Sequence, residues 1–139
     1  MMRATGTFTV KLTPQPADDH ADGKPLGRLT IDKVFEGDLS GTSVGQMLSA
    51  MTAVKGSAGY VALERVTGSL GARSGTFVLQ HSGTMNRGAA SLSLGVVPDS
   101  GTDGLEGLHG HMQIIIEGGV HSYVFEYEIG AGGAPAEGQ

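Results

Sequence analysis

A chain of 139 residues fills one ordinary domain and is too short for two well-cored ones. Its 24 glycines lack a G-x-y period, which excludes collagen and disfavours a helical bundle, and a net charge of -5 supplies no basic stripe for nucleic acid. With no cysteine there is no disulfide, thiolate nucleophile or cysteine-ligated zinc, and with no apolar leader or run of ~18 apolar residues the expectation is a soluble, cytoplasmic protein with no membrane partner.

Period-2 alternation begins at once. Between Ala4 and Leu12, Phe8, Val10 and Leu12 share one face and Thr5, Thr7, Thr9 and Lys11 the other, which predicts a half-buried strand. Pro14 to Pro25 carries three prolines and three aspartates and reads as a surface loop. Its run Asp18-Asp19-His20-Ala21-Asp22 is a solvated acidic segment rather than a cation site. A second strand is expected from about Gly27 to Glu36, with Leu29, Ile31 and Phe35 on one face and Lys33 interrupting it. The segment from Gly41 to Val54 fits both periods. Its early glycines and flanking strands favour a strand, with a short helical turn left open near Met47 to Val54.

Tyr60–Leu70 and Gly75–Met85 flank Gly71-Ala72-Arg73-Ser74 and read as a hairpin. A two-residue Ala72-Arg73 loop places Glu64 opposite His81, Val66 opposite Leu79 and Gly68 opposite Phe77. Tyr60, Ala62, Gly83 and Met85 complete that face, so one Glu–His pair sits on a bulky apolar surface. Asn86-Arg87-Gly88 turns into a strand from about Ala90 to Val97, followed by a Gly/Asp/Ser loop from Pro98 to Gly107. The last hairpin pairs Leu108–Glu117 with Val120–Ile129 about Gly118-Gly119. Met112 and Ile114 then face inward with His121, Tyr123, Phe125 and Tyr127, while His109, His111, Glu126 and Glu128 face outward. Residues 1–130 thus read as one β domain and 131–139 as a flexible Gly/Ala-rich tail.

About eight strands in meander order, each with one apolar face, predict an all-β fold: a single antiparallel eight-stranded barrel, with a two-sheet sandwich as the alternative. The stretch GDLSGTSVGQMLSAMTAVKGSAGYVALERVTGSLGARSGTFVLQHSGTMNRG at positions 37–88, with VVPDSGTxxLEGLxG from Val96 to Gly110, is similar to a bacterial family of small domains of unknown function. The likeness runs from about Arg3 to Ile129, and the family's barrel resembles that of allene oxide cyclase. The resemblance implies a closed barrel and an isomerase- or cyclase-like reaction on a small apolar molecule. It transfers no catalytic residue, because no cyclase motif is matched here.

Glu64 and His81 are the candidate catalytic pair, since a partly desolvated carboxylate and imidazole suit proton movement within an apolar substrate. Tyr60 or Tyr127 is placed to donate to a developing oxyanion. The competing reading is a structural pair that pins the barrel register. Phe77, Met85, Tyr123 and Phe125 line the same lumen with aromatic and thioether groups, which favours a small hydrophobic or aromatic ligand over a sugar or phosphate. Asn86 and Arg87 at a rim can hold a substrate carboxylate or simply turn the chain. His121, beside the Gly-Gly turn, is expected at the other rim. His109 and His111 with Glu126 and Glu128 resemble a zinc set but face outward without a fourth converging ligand, so no metal is expected. No phosphate-binding loop, nucleophile elbow or H-E-x-x-H occurs, and no cofactor is expected.

Three functions fit these residues: an isomerase- or cyclase-like enzyme, a non-catalytic binding barrel, and a structural oligomer with a filled lumen. The apolar outer face of Val61, Leu63, Thr67, Thr76, Val78 and Thr84 points to a homo-oligomer, dimer or trimer.

Overall fold

The first strand closes the sheet on the last. In a computed structural model, which describes residues 1–16 and 26–130, β1 (Met2–Gln15) pairs with both β2 (Gly27–Gly37) and β8 (Val120–Glu128). Between them run β3 (Leu39–Met51), β4 (Ala58–Leu70), β5 (Arg73–Asn86), β6 (Ala89–Val96) and β7 (His109–Glu117). Each strand is antiparallel to its neighbours, and the eight form a closed barrel rather than a sandwich. Closure removes most of the edge that an open sheet would present, although β6 and β7 meet only at Gly95 and His111 and β1 is paired on one side beyond Phe8. Among the described residues no helix is long and apolar enough to cross a membrane. The acidic run at 18–22 and the tail at 131–139 lie outside the described residues.

The two ends of the barrel differ. One end is plugged by the β6–β7 connection, whose single 3-10 turn (Asp103–Leu105) inserts Leu105 and Leu108, both fully buried, against Phe77 and Phe125. This connection takes over as hydrogen-bonding partner of β5 where β6 has ended. The Thr102 N–H donates to the Thr76 carbonyl, the Thr76 N–H donates to the Thr102 hydroxyl at 3.0 Å, and the Ser100 hydroxyl accepts from the Val78 N–H at 3.0 Å. Tyr123 secures the neighbouring corner. Its hydroxyl accepts from the Leu39 N–H at 2.9 Å and lies within donating distance of the Glu36 and Leu39 carbonyls, which ties β8 to the β2–β3 turn. At the other end, inward-pointing side chains stay open to solvent: Leu12, Met85 and Leu92 are exposed, and Val10, Met47, Tyr60 and Ile114 are half-buried. The interior is therefore packed below and funnel-shaped above.

Three expectations need correction, and the open question at 44–54 is settled in favour of the expected strand. β1 runs on through Pro14 and Gln15, where a loop was expected, because beyond Phe8 the strand is paired on one side only and proline's missing donor is harmless there. Residues 44–51 are extended, and a turn follows, closed by Thr52 N–H to Ser57 and Ser57 N–H to Val54. The β4–β5 hairpin turns on Gly71-Ala72, not Ala72-Arg73. Gly71 takes a φ of +61°, which only glycine adopts cheaply and which suits the first central position of a two-residue turn. Glu64 therefore pairs with Leu79 and His81 with Ala62; the two-residue shift keeps both side chains on the inner face. Finally, His121 is at the same rim as Asn86 and Arg87, because in an up-and-down barrel every odd-numbered turn lies at one end.

Replacing Tyr123 with phenylalanine keeps the ring but leaves the buried Leu39 N–H without its acceptor. The variant is expected to lose about 1–3 kcal/mol of unfolding free energy in urea titrations, with an unchanged far-ultraviolet spectrum.

Candidate functional site

Lys33 is the residue that the strand pattern marked as an interruption. On β2 it holds inward parity between Ile31 and Phe35, and it is buried. A buried ammonium is tolerated only beside a counter-charge, and Glu64 on β4 supplies it: Lys33 Nζ donates to Glu64 Oε1 at 2.8 Å. The two residues reach each other across β3 because Gly45 stands opposite Glu64, and a Cβ there would lie 2.7 Å from that of Glu64. Phe8 and Phe35 flank the ammonium with ring centroids at 4.8 and 5.8 Å, adding a cation–π contribution.

His81 on β5 closes the cluster from the other side. Its Nε2 lies 2.5 Å from the same Oε1, while Ser43 donates its hydroxyl to Oε2 at 2.5 Å. Both carboxylate oxygens are thus engaged, and the Glu64 side chain has no solvent exposure. Burial by itself pushes the Glu64 carboxyl upward. The His81 hydrogen bond and the Lys33 charge, with the Lys33 and Ser43 hydrogen bonds, outweigh it and hold the group down at about 2. Tyr60, half-buried towards the open end, places its hydroxyl 3.4 Å from His81 Nδ1. Burial first, and then the Glu64 charge, raise the Tyr60 hydroxyl, so it keeps its proton and acts as a donor. Its ring lies flat over Gly83, where an added Cβ would come within 2.5 Å of it.

The structure brings Glu64, His81 and Tyr60 together as one connected chain of side chains. The other expected lining residues separate into two groups. Phe77, Tyr123 and Phe125 are fully buried in the plugged half, where Phe77 stacks on Phe125 at 6.0 Å and Tyr127 on Phe125 at 5.2 Å. Met85, Asn86 and Arg87 lie at the open rim, where the Arg87 N–H bonds to the Ser57 hydroxyl at 3.1 Å and docks the β5–β6 turn on the β3–β4 turn. Outside, His109 pairs with Glu128 at 3.2 Å and His111 with Glu126 at 3.3 Å as separate cross-strand contacts. Among the described residues no group of three or more such side chains has metal-holding geometry. Sequence reasoning missed Lys33 and Ser43. The signal for Lys33 was present, since an inward lysine requires a carboxylate and Glu64 is the inward one; Ser43 offered no comparable signal.

Two results are expected from Glu64. Replacement by glutamine leaves the buried Lys33 ammonium without its counter-charge and should lower stability by about 3–5 kcal/mol in denaturant titrations. In the wild-type protein the folded carboxyl titrates below its ordinary value of 4.5. Its contribution is therefore complete above that value and is lost as the pH falls towards 2. The loss is on the order of 3 kcal/mol, read as a fall in urea midpoint that Glu64→Gln should show to a smaller extent over the same window.

Residues 4–127 match a family described as a protein of unknown function, DUF3224. The chain is also similar to a solved structure from Shewanella oneidensis MR-1, described as a protein with unknown function from the DUF3224 family. Identity is 53%, the match covers 94% of this chain and 98% of that one, and the TM-score is 0.89. No curated protein matches the chain. The match of sequence, coverage and barrel leads to one assignment: this chain belongs to the DUF3224 family.

Proposed function

We propose that the open half of the barrel binds a small apolar molecule and that the Tyr60–His81–Glu64 chain moves a proton on it, an isomerase- or cyclase-like activity in a cytoplasmic protein. The observation that carries this reading is the contrast within one lumen. Inward apolar side chains such as Met85 and Leu92 are 41% and 42% exposed above a buried, fully connected charge cluster. A barrel evolved only for stability would fill both ends alike. Ligands with a net charge are disfavoured, because the walls just above the cluster are largely hydrocarbon and sulfur.

The chemistry follows from the two edges of the imidazole. Nε2 is held against Glu64 Oε1, which fixes the ring and favours a proton on that nitrogen. Nδ1 then carries the lone pair and faces Tyr60 towards the funnel, so it is the atom that takes a proton from a bound carbon acid. The Tyr60 hydroxyl, a donor, is positioned to stabilise an enolate oxygen formed in that step. Glu64 is a positioning residue here, since its oxygens touch only Lys33, Ser43 and His81.

A second reading has its own support. The complete burial of Glu64 suits a purely structural pin in a barrel that only binds, or whose lumen holds no ligand. The two are separated by an apolar fluorescent dye and a panel of lipophilic ketones in deuterated buffer. The proposal expects dye binding that Ala62→Trp abolishes, and deuterium exchange at the carbon next to a bound carbonyl. His81→Gln should slow that exchange by about 10²–10⁴-fold while dye binding persists. Binding without exchange supports the non-catalytic barrel, and no binding by any probe supports the structural one.

A further inference from the structure

Some exposed apolar residues have inward parity and line the open end just described. Five others lie close together on the outer wall: Val44 at 61%, Leu63 at 54%, Val61 at 52%, Val34 at 48% and Leu48 at 47%. They occupy adjacent strands β2, β3 and β4, with Leu48 directly opposite Val61, and form one contiguous surface. Four of them, all but Val34, line a concavity of about 1380 Å³ formed by β2–β5 together with Gln15 of β1. Five half-exposed aliphatic side chains in one place exceed the scattered apolar exposure of an ordinary solvent face.

The charges around this surface have a definite order. Val44 pairs with Asp32 on one side and with Arg65 on the other, so the three form a row across β2, β3 and β4. Among the described residues neither charged side chain has a hydrogen bond or ion pair. Two strand spacings, about 9–10 Å, separate them, too far for a direct contact. A row reading minus, apolar, plus is complementary to its own reverse. A two-fold axis lying in the contact plane, perpendicular to the row and passing at Val44, sets each Asp32 against an Arg65 of a second copy and valine against valine.

We propose that this face is a two-fold interface between two copies of the chain, centred on Val44 and flanked by two Asp32–Arg65 pairs. The observation is independent of any reaction in the lumen. The interface is displaced from the hairpin face expected from sequence: it gains Val34, Val44 and Leu48, and it loses Thr67, Thr84 and Thr76, the last with its hydroxyl engaged by Thr102 of the plugging loop.

Sedimentation velocity and light scattering over a concentration series test the proposal, with circular dichroism and thermal melts confirming that each variant is folded. The expected result is a dimer at micromolar concentration. Val44→Asp and Asp32→Arg should each weaken it by roughly 100-fold, and Asp32→Arg combined with Arg65→Asp should restore it to within about 10-fold of wild type. A wild-type monomer, a trimer, a dimer indifferent to Val44→Asp, or a double charge swap that fails to restore association would each overturn the interface.

Discussion

A carboxylate placed inside a narrow closed barrel must be neutralised where it stands, and in this protein that requirement organises three strands. Glu64 is held by Lys33 from β2, Ser43 from β3 and His81 from β5. Each contact passes over or beside a neighbouring strand, so the cluster works only in one register. A one-residue slip of any of these strands would send its charged or polar member to solvent and leave the others buried without a partner. The glycine at position 45 is part of the same arrangement, because it clears the path by which Glu64 reaches Lys33.

The cluster also marks the boundary between two unlike halves of the lumen. Below it, the β6–β7 connection fills the space with leucine and stacked aromatic rings and supplies the hydrogen bonds that β6 no longer gives to β5. Above it, the walls are largely apolar and solvent-facing, and from that side the Tyr60 hydroxyl approaches the His81 imidazole. A solid lower half holds the cluster rigid, and an open upper half gives one edge of it a route to the outside. That division, fixed groups at the floor and space above them, is what the proposed proton transfer rests on.

The exterior obeys a different logic from the interior. Strand alternation puts as many side chains outside as inside, and on most of the wall these are threonine, serine and charged residues. On β2, β3 and β4 valine and leucine replace them, although nothing in the barrel's own packing calls for apolar groups there. Lumen and outer wall are separate features of the same strands, since the inner parity carries the charge cluster and the outer parity the apolar patch.

Much of this was legible in the one-dimensional pattern. Period-2 alternation and glycine-bounded turns pointed to about eight antiparallel strands, in a barrel or a two-sheet sandwich, and any two-residue turn within Gly71–Ser74 put Glu64 and His81 on one face, whereas a one-residue slip would have parted them. The final hairpin followed from Gly118-Gly119 in the register observed. Only the tertiary structure decided what lies around the pair. Lys33 reads as a defect along its own strand, because a strand pattern shows which face a residue occupies and not what stands across the neighbouring strand from it. Ser43 is silent for the same reason. The turn at Gly71 depended on a positive φ that four adjacent small and polar residues do not specify, and the closing of one end depended on a long connection folding back onto β5. Local periodicity records the solvent on either side of a strand; contacts between strands distant in sequence are set by closure of the barrel, and closure is a property of the whole chain.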